Sequence, residues 1–237
     1  MDVLVLQHIA CEPPAVYEDV MLERGCRLTR VELDEGEVLP DWRAFDAIVA
    51  MGGPMGTYDE ADFPWLVEEK RAIGEAVRAR RPYFGACLGV QLLAASLGAA
   101  VYPGPVPEVG VLPVRLTDAA REDPLFAGLP AELPTLQWHG DTFDLPTGAV
   151  SLLESDLYPN QGFRFGDRAY GVQFHLELDE DLAAEWAQVP AYREAAERTL
   201  GPGGLDRLFA DFRANADVMQ GHARTVFGRF LDLAATD

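Results

Sequence analysis

Residues 80–98, RRPYFGACLGVQLLAASLG, place one cysteine between a short β-prone run and an apolar stretch. Residues 82–86 predict a short buried strand, and residues 88–97 predict a helix that is apolar on nearly every side. Gly98 is positioned to end that helix. Cys87 therefore stands at a strand-to-helix turn, the local structure on which both fold and function depend.

The turn around the cysteine reads Gly85-Ala86-Cys87-Leu88-Gly89, with a glycine two residues to either side. This is the spacing of a nucleophile elbow, in which a sharp reversal from strand to helix exposes the central side chain. Larger side chains at the glycine positions would collide with the neighbouring strand or the helix start. We expect the helix N-terminus to lower the thiol pKa and the Leu88 N–H to face a developing oxyanion.

The other cysteines lack such a setting. A free cysteine is more often a small buried apolar residue than a nucleophile, so we interpret Cys11 and Cys26 as core residues. For Cys87 the flanking glycines and the strand-helix context favour the nucleophile. Three scattered cysteines are too few for a disulfide framework or a four-ligand zinc site, which predicts free thiols.

The remaining pattern predicts an α/β fold in which a central, mostly parallel sheet is flanked by helices. Apolar strand-like runs and amphipathic helical stripes alternate through residues 3–80. Residues 101–170 change to short β-like segments separated by proline and glycine, which predict a small β extension, either an antiparallel edge or a small second sheet. Roughly three amphipathic helical segments follow Asp179.

We predict a single domain, because no stretch is long or polar enough to be a linker between domains. Within it, residues 1–180 form the catalytic part and residues 181–237 form a C-terminal helical extension packed on the same domain.

The composition restricts the partners and the compartment. The 19 basic and 39 acidic residues give a net charge of -20, which argues against nucleic acid or an anionic membrane surface as a partner. No apolar run approaches the roughly 18 residues of a membrane span, and the first residues do not resemble a signal peptide. We therefore expect a cytoplasmic protein, and we predict neither a metal nor another cofactor.

A cysteine nucleophile needs a base, and His175 is the best candidate among the four histidines. It follows an apolar run, and Glu177, two residues on, would lie on the same side of extended chain and orient the imidazole. His139, with Asp141 two residues on, is the second candidate, although its position after a strand favours a pocket wall. We interpret His8 as a strand-end residue near the carboxyl edge of the sheet and His222 as a surface residue.

The loop MGGPMG at residues 51–56 follows an apolar strand. Ligands of parallel sheets gather at the carboxyl ends of strands, so this loop is expected beside Cys87. It would supply a second oxyanion donor, the N–H of Gly53. It is not a phosphate-binding loop, because the lysine and the hydroxyl residue of that motif are missing.

In this order, the loop MGGPMG, the elbow PYFGACLGVQ and the segment GVQFHLE resemble the class I glutamine amidotransferases, a family with a Cys-His-Glu triad. The resemblance implies the flavodoxin-like fold of that family. It also implies that Cys87 attacks the carboxamide of glutamine, that His175 moves protons and that Glu177 orients His175. The N–H groups of Gly53 and Leu88 would hold the oxyanion.

The resemblance further implies that the substrate is contacted by Gln91, Gly52 and His139. Leu176 stands where many members have proline, which indicates a freestanding branch similar to the glutaminase domain of GMP synthase. The ammonia acceptor, if there is one, would be a separate synthetase subunit.

Three functions fit these residues. The first is a glutaminase that forms a γ-glutamyl thioester and delivers ammonia to a synthetase. The second is a stand-alone hydrolase or peptidase that acts on other γ-glutamyl compounds through the same triad. The third is a non-catalytic relative in which the elbow cysteine has a redox or regulatory role.

Overall fold

A computed structural model describes residues 1–236 of the chain, which form one nine-stranded sheet with helices on both faces. The strand order is β2-β1-β3-β4-β9-β8-β7-β5-β6. The strands are β1 (Asp2–Gln7), β2 (Arg27–Glu32), β3 (Ala47–Ala50), β4 (Tyr83–Ala86), β5 (Val101–Leu116), β6 (Glu132–Phe143), β7 (Ala149–Glu154), β8 (Gly162–Phe165) and β9 (Ala169–Val172).

The helices are α1 (Val16–Glu23), α2 (Trp65–Arg78), α3 (Leu88–Ser96), α4 (Asp118–Glu122), α5 (Glu180–Trp186), α6 (Pro190–Leu200) and α7 (Gly204–Ala234), with a short 3-10 helix at Trp42–Ala44. None of the helices within residues 1–236 is both long and apolar enough to cross a membrane.

One half of the sheet is parallel. β1 pairs in parallel with β2 and β3, β3 with β4, and β4 with β9. Its central strands are buried along their whole length, as expected where helices cover both faces of a sheet. Because these strands run in the same direction, their carboxyl ends meet at one edge. Cys87 follows β4 directly at that edge.

The other half is antiparallel and curls back toward the parallel strands. β9, β8, β7, β5 and β6 pair in sequence, and the long β5–β6 hairpin has an irregularity between Pro103 and Glu108. Leu136 of β6 forms an antiparallel bridge with His175, three residues beyond β9. The backbone N–H and carbonyl groups of this pair are joined at 2.9 and 3.0 Å. The β extension predicted for residues 101–170 is therefore the antiparallel continuation of the main sheet.

Two apolar layers hold the helices on the sheet, and alternate strand residues point into them. Val3 and Val5 pack with α1, α7 and the hairpin on one face, whereas Leu4 and Leu6 pack with α2 and α3 on the other. On the first face, Tyr17, Phe84 and Phe227 form an aromatic cluster with ring centroids 4.7–5.3 Å apart.

The predicted C-terminal extension, residues 181–237, contains α6, α7 and all of α5 except its first residue, in agreement with the roughly three helical segments predicted after Asp179. Trp186, Phe212 and Phe230 from these helices belong to the same apolar core as β1 and β3. The fold class predicted from the sequence is confirmed, whereas the division at residue 180 stays a prediction.

Candidate active site

Cys87 occupies a strained turn between β4 and α3. Its backbone has φ 52° and ψ -107°, a region that residues with a Cβ rarely adopt. The flanking glycines are required by close backbone contacts: a Cβ at Gly89 would overlap the Ala50 carbonyl of β3, and one at Gly85 would overlap the backbone of Gly89. These are the collisions that the elbow spacing predicted. The geometry turns the thiol toward the carboxyl edge of the sheet, where it lines a cavity.

His175 and Glu177 form a buried pair beside the thiol. The Nδ1 atom of His175 lies 2.6 Å from Glu177 Oε1, and the other carboxylate oxygen accepts a hydrogen bond of 2.9 Å from the Leu176 N–H. Among the described residues, His175 Nε2 makes no hydrogen bond of normal geometry. The polar group beside it is the Cys87 thiol. The imidazole is therefore oriented at one nitrogen and available at the other.

The pKa directions of this pair follow from burial and neighbouring charge. Burial raises the pKa of the Cys87 thiol, and His175 opposes that rise. Burial alone would lower the pKa of His175, but the Glu177 carboxylate and Cys87 more than offset it, so this pKa lies well above its usual value. The expectation that the helix N-terminus gives a lowered thiol pKa is wrong in its net direction: burial outweighs the lowering effects of His175 and of the Leu88 N–H on the pKa of Cys87.

The two predicted oxyanion donors lie in different positions relative to the thiol. The Leu88 N–H lies next to the Cys87 side chain. The Gly53 N–H makes no hydrogen bond within the described residues, and Gly53 lines the same cavity as Cys87. Gly52 does not line the cavity within the described chain; its carbonyl faces His8 instead. The two glycines of the loop therefore face different surroundings.

The cavity has a volume of about 430 Å³, a normal size for a small-molecule site. Gln91 and His139, both predicted to contact substrate, line it. Gln91 donates a 3.0 Å hydrogen bond to Gln173 Oε1, and Gln173 Nε2 lies 3.7 Å from Cys87 Sγ. Among the other lining residues are Met55, Tyr58, Asp59, Trp138, Asp141, Tyr192, Ala195 and Arg198.

His139 is occupied by a separate polar network. Its Nδ1 atom lies 2.9 Å from the Asp141 carbonyl oxygen, and its Nε2 atom lies 3.1 Å from Glu108 Oε2. Glu108 also accepts hydrogen bonds from Ser155 and Gln161. Because both ring nitrogens have partners, His139 fits a cavity wall better than a base. His222, on α7, is partly buried and is not among the cavity residues of the described chain.

Glu12 and Tyr192 adjoin the site without having been predicted. Glu12 is 3% exposed, accepts a hydrogen bond from the Tyr192 hydroxyl, and has no partner for Oε2 among the described residues. A Cβ at Gly52 would overlap Glu12 Oε2 and lie 3.3 Å from Cys87 Cβ, so the carboxyl group occupies the space beside the nucleophile. Burial raises the pKa of Glu12. Its position after β1, at the carboxyl edge of a parallel strand, was the available signal.

Within residues 1–236, no group of three or more His, Cys, Asp or Glu side chains is arranged to hold a metal ion. The site chemistry is that of a thiol, an imidazole–carboxylate pair and backbone N–H donors. Such a constellation suits acyl transfer through a covalent thioester.

Comparison with known proteins shows the family of this chain. The family model of class I glutamine amidotransferases matches residues 16–184. The chain belongs to this family, which is one of cysteine-dependent amidotransferases.

Particular relatives are a glutamine amidotransferase-like protein, YfeJ of Salmonella typhimurium, and GMP synthases. YfeJ is 35% identical over 182 residues, which cover 75% of this chain and 76% of YfeJ. One subunit of the glutamine-hydrolysing GMP synthase of Sulfurisphaera tokodaii is 33% identical over 60% of this chain and 71% of its own length. The GMP synthase of Streptomyces avermitilis is 34% identical over 134 residues, but this match covers only 24% of that longer protein.

Solved structures extend the likeness to nearly the whole chain. A glutamine amidotransferase from Thermotoga maritima superposes with a TM-score of 0.87 and 32% identity, covering 98% of both chains. A glutamine amidotransferase from Methylobacillus flagellatus also gives 0.87, with 27% identity over 98% of this chain and 94% of that one. The C-terminal helices are therefore included in the match.

Proposed function

We propose that this protein is a glutaminase of the amidotransferase type, which hydrolyses the side-chain amide of glutamine and releases ammonia. The observation that carries the proposal is the position of His175. Its Nδ1 atom is fixed by Glu177 at 2.6 Å, and its Nε2 atom is available beside a thiol held in a strained turn. That is the geometry required of a base that activates a nucleophile.

In the first half-reaction, His175 Nε2 removes the thiol proton as Cys87 Sγ attacks the γ-carbonyl carbon of glutamine. A base is needed because burial raises the thiol pKa, so few thiolates form without one. The carbonyl π electrons move onto oxygen, where the N–H groups of Gly53 and Leu88 stabilise the negative charge. When the carbonyl re-forms, the C–N bond breaks, and His175 gives its proton to the leaving nitrogen, which departs as ammonia.

In the second half-reaction, His175 removes a proton from water as the water oxygen attacks the γ-glutamyl thioester. The same two N–H groups stabilise the second oxyanion. When the carbonyl re-forms, the C–S bond breaks and His175 returns its proton to the leaving sulfur, which gives glutamate and the Cys87 thiol. Glu177 stabilises the imidazolium that forms in both halves. Gln91, Gly52 and His139 are proposed to shape the substrate site, with Gly52 acting through the loop rather than from the cavity wall.

We also propose a separate synthetase chain as the acceptor of the ammonia. The support is the likeness to the Sulfurisphaera tokodaii protein, whose name states that it is one subunit of a glutamine-hydrolysing GMP synthase. The proposed compartment is the cytoplasm, where the three thiols, which form no disulfide within residues 1–236, would stay reduced.

A second candidate function is hydrolysis of larger γ-glutamyl compounds, and one observation favours it. The proposed C-terminal extension, residues 181–237, contributes Tyr192, Ala195 and Arg198 to the cavity. The side chain of Arg198, on α6, makes no hydrogen bond or ion pair with any residue that the structure describes. A guanidinium at the cavity without a carboxylate partner suits a carboxylate on the far part of a γ-glutamyl peptide.

The test is release of ammonia or amine from glutamine and from a panel of γ-glutamyl amides and dipeptides. We expect the wild type to act on glutamine and Cys87→Ala to be inactive, with Cys26→Ala as a matched control because Cys26 is buried away from the cavity. Rapid cleavage of a dipeptide with little action on glutamine, lost in Arg198→Ala, would select the second function. Equal rates for the wild type and Cys87→Ala would reject the nucleophile and favour a non-catalytic role.

A further inference from the structure

His8, at the end of β1, is completely buried behind the 51–56 loop and is held on three sides. Its Nδ1 atom lies 3.1 Å from the Gly52 carbonyl oxygen, and its Nε2 atom lies 2.8 Å from Glu69 Oε1. Trp65 stacks on the imidazole at 5.6 Å with an interplanar angle of 20°. Glu69 and Trp65 are four residues apart on α2 and so share one helix face.

The Gly52 carbonyl determines which ring nitrogen of His8 carries a donor proton. A carbonyl oxygen can only accept, so Nδ1 carries a proton and donates it to Gly52. Nε2 and the Glu69 carboxyl group share the second hydrogen bond, so the two side chains form a buried His–Glu pair. Burial alone would lower the pKa of His8, but Glu69 and the Gly52 carbonyl more than offset this, and the pKa is raised. The pair is thus a fixed donor aimed at one peptide group.

That peptide group links the pair to the cavity. The Gly52 carbonyl and the Gly53 N–H belong to the same planar peptide, and no peptide bond in the described chain is cis. In a trans peptide the C=O and N–H bonds point in opposite directions. With the carbonyl directed at His8, the N–H is directed away from it. Gly53 lines the cavity with Cys87, whereas His8 does not line it within the described chain.

We propose that His8 and Glu69 are positioning residues of the oxyanion hole. By holding the Gly52 carbonyl, they fix the plane of the peptide whose other end, the Gly53 N–H, stabilises the oxyanion. A hydrogen bond to the carbonyl also polarises the peptide and strengthens its N–H as a donor. This inference rests on the nucleophile and the oxyanion donor of the proposed function, but not on glutamine as the substrate.

Substitution of His8 by asparagine or by glutamine distinguishes the roles of its two ring nitrogens. The amide nitrogen of asparagine can occupy the place of Nδ1 and donate to Gly52, whereas that of glutamine can occupy the place of Nε2 and reach residue 69 but not Gly52. Both are made together with Glu69→Gln, so that neither variant contains an unpaired buried carboxylate. Val67→Ala, at an exposed position of α2, is the control for changes on that helix.

Two reactions at Cys87 report on the oxyanion hole without requiring the natural substrate. With p-nitrophenyl acetate, the sulfur forms a bond to the carbonyl carbon, negative charge develops on oxygen, and p-nitrophenolate leaves with the electron pair of the broken C–O bond. With iodoacetamide, the sulfur displaces iodide from a methylene carbon and no oxyanion forms. The ratio of acylation to alkylation rates, corrected with Cys87→Ala, therefore isolates the oxyanion donors.

We expect His8→Gln/Glu69→Gln to lower this ratio about tenfold to a hundredfold, less than the loss of a whole donor. His8→Asn/Glu69→Gln should recover most of it, although both variants lose the imidazole. An unchanged ratio in the glutamine variant, or equal ratios in the two variants, would overturn the inference. A wild type with a high ratio that releases no ammonia from glutamine would reject the proposed substrate alone. A wild type with no Cys87-dependent acylation would reject both proposals.

Discussion

Cys87 is one of the few residues with a side chain at positive φ in residues 1–236, and a conformation of this kind costs about 1–3 kcal/mol. It persists because surrounding contacts fix it: the thiol side of the turn faces the cavity, and the two glycines lie against backbone. In a merely structural turn the same strain would be relieved by glycine at the central position. A strained cysteine between two glycines therefore favours a nucleophile held in a defined position over a small apolar residue that fills the core.

Removing the base should harm the reaction more than removing its orienting carboxylate. We expect His175→Ala to lower kcat/KM for the active substrate by about 10⁵-fold, and Glu177→Gln by about 10³–10⁴-fold, since misorientation leaves some productive encounters. Steady-state ammonia release measures both, with His222→Ala as the control. If His139→Ala abolished turnover while His175→Ala remained active, the base would have to be reassigned.

Gly89 should tolerate no side chain. A methyl group there would overlap the carbonyl oxygen of Ala50, which is backbone and cannot move aside without separating α3 from β3. We expect Gly89→Ala to lower the free energy of unfolding by about 1–3 kcal/mol. Gly221, exposed on α7 with no atom near its missing Cβ, is the matched control, and Gly221→Ala should gain about 0.5–1 kcal/mol. Urea denaturation measures both, and equal effects would contradict the steric account.

The loop after β1 and helix α6 meet behind the nucleophile through Glu12 and Tyr192. These residues are 180 positions apart in the chain, and their hydrogen bond ties the C-terminal helices to the site. Burial has the larger effect on the Glu12 carboxyl and raises its pKa above the usual 4.5. The native protein therefore holds this proton at pH values where the unfolded chain has already released it.

This difference in proton binding fixes the sign of a pH effect. As pH rises above 4.5, the unfolded chain binds fewer protons at residue 12 than the native protein, so this group makes the native state progressively less stable until its folded pKa is passed. Glu12→Gln removes that loss, and we expect its stability relative to the wild type to increase from pH 4.5 toward neutrality. Urea denaturation across this range measures it, with Glu35→Gln, at an exposed position, as the control. A constant difference would show that Glu12 titrates normally.

The charge of the whole chain should make stability depend on salt. A net charge of -20 is self-repulsive, whereas most ion pairs of the described chain lie on the surface and contribute little. Raising the ionic strength from about 0.01 to 0.15 M shortens the screening length from about 30 to 8 Å. We expect the free energy of unfolding to rise by on the order of 1 kcal/mol. A fall in the urea midpoint on adding NaCl would mean that the ion pairs dominate.

The sequence predicted the fold class because its strongest signals are local. Apolar runs identify the strands of the parallel half, and the glycine spacing identifies the turn at Cys87. It did not show that residues 160–175 contain two strands, one of which, β9, pairs with β4. That pairing joins Tyr83 to Ala169, which are 86 residues apart in the chain. A local sequence pattern does not show which strand will lie next to which in the sheet.

The same distinction applies to the candidate site. His175 and Glu177 were predicted as a pair because their spacing is short, and their side chains are in contact; their catalytic roles stay a prediction. His8 was correctly placed at a strand end. Its contact with Glu69, the contact of Glu12 with Tyr192, and the entry of α6 into the cavity depend on packing between distant segments. The net direction of the thiol pKa was missed for a related reason: helix position is visible in a sequence, but the degree of burial is not.

The backbone bridge between Leu136 and His175 has a consequence for how this protein can diverge. His175 lies beyond the last residue of β9, so it is not part of that strand. Its main chain is held by hydrogen bonds to Leu136 of β6. Insertions in the connection between β5 and β6 leave these hydrogen bonds intact. A shift of β6 by one residue in its register would instead displace the imidazole. A chimaera that exchanged only residues 101–143 with a relative would therefore inherit the donor's alignment of the histidine along with its pocket wall.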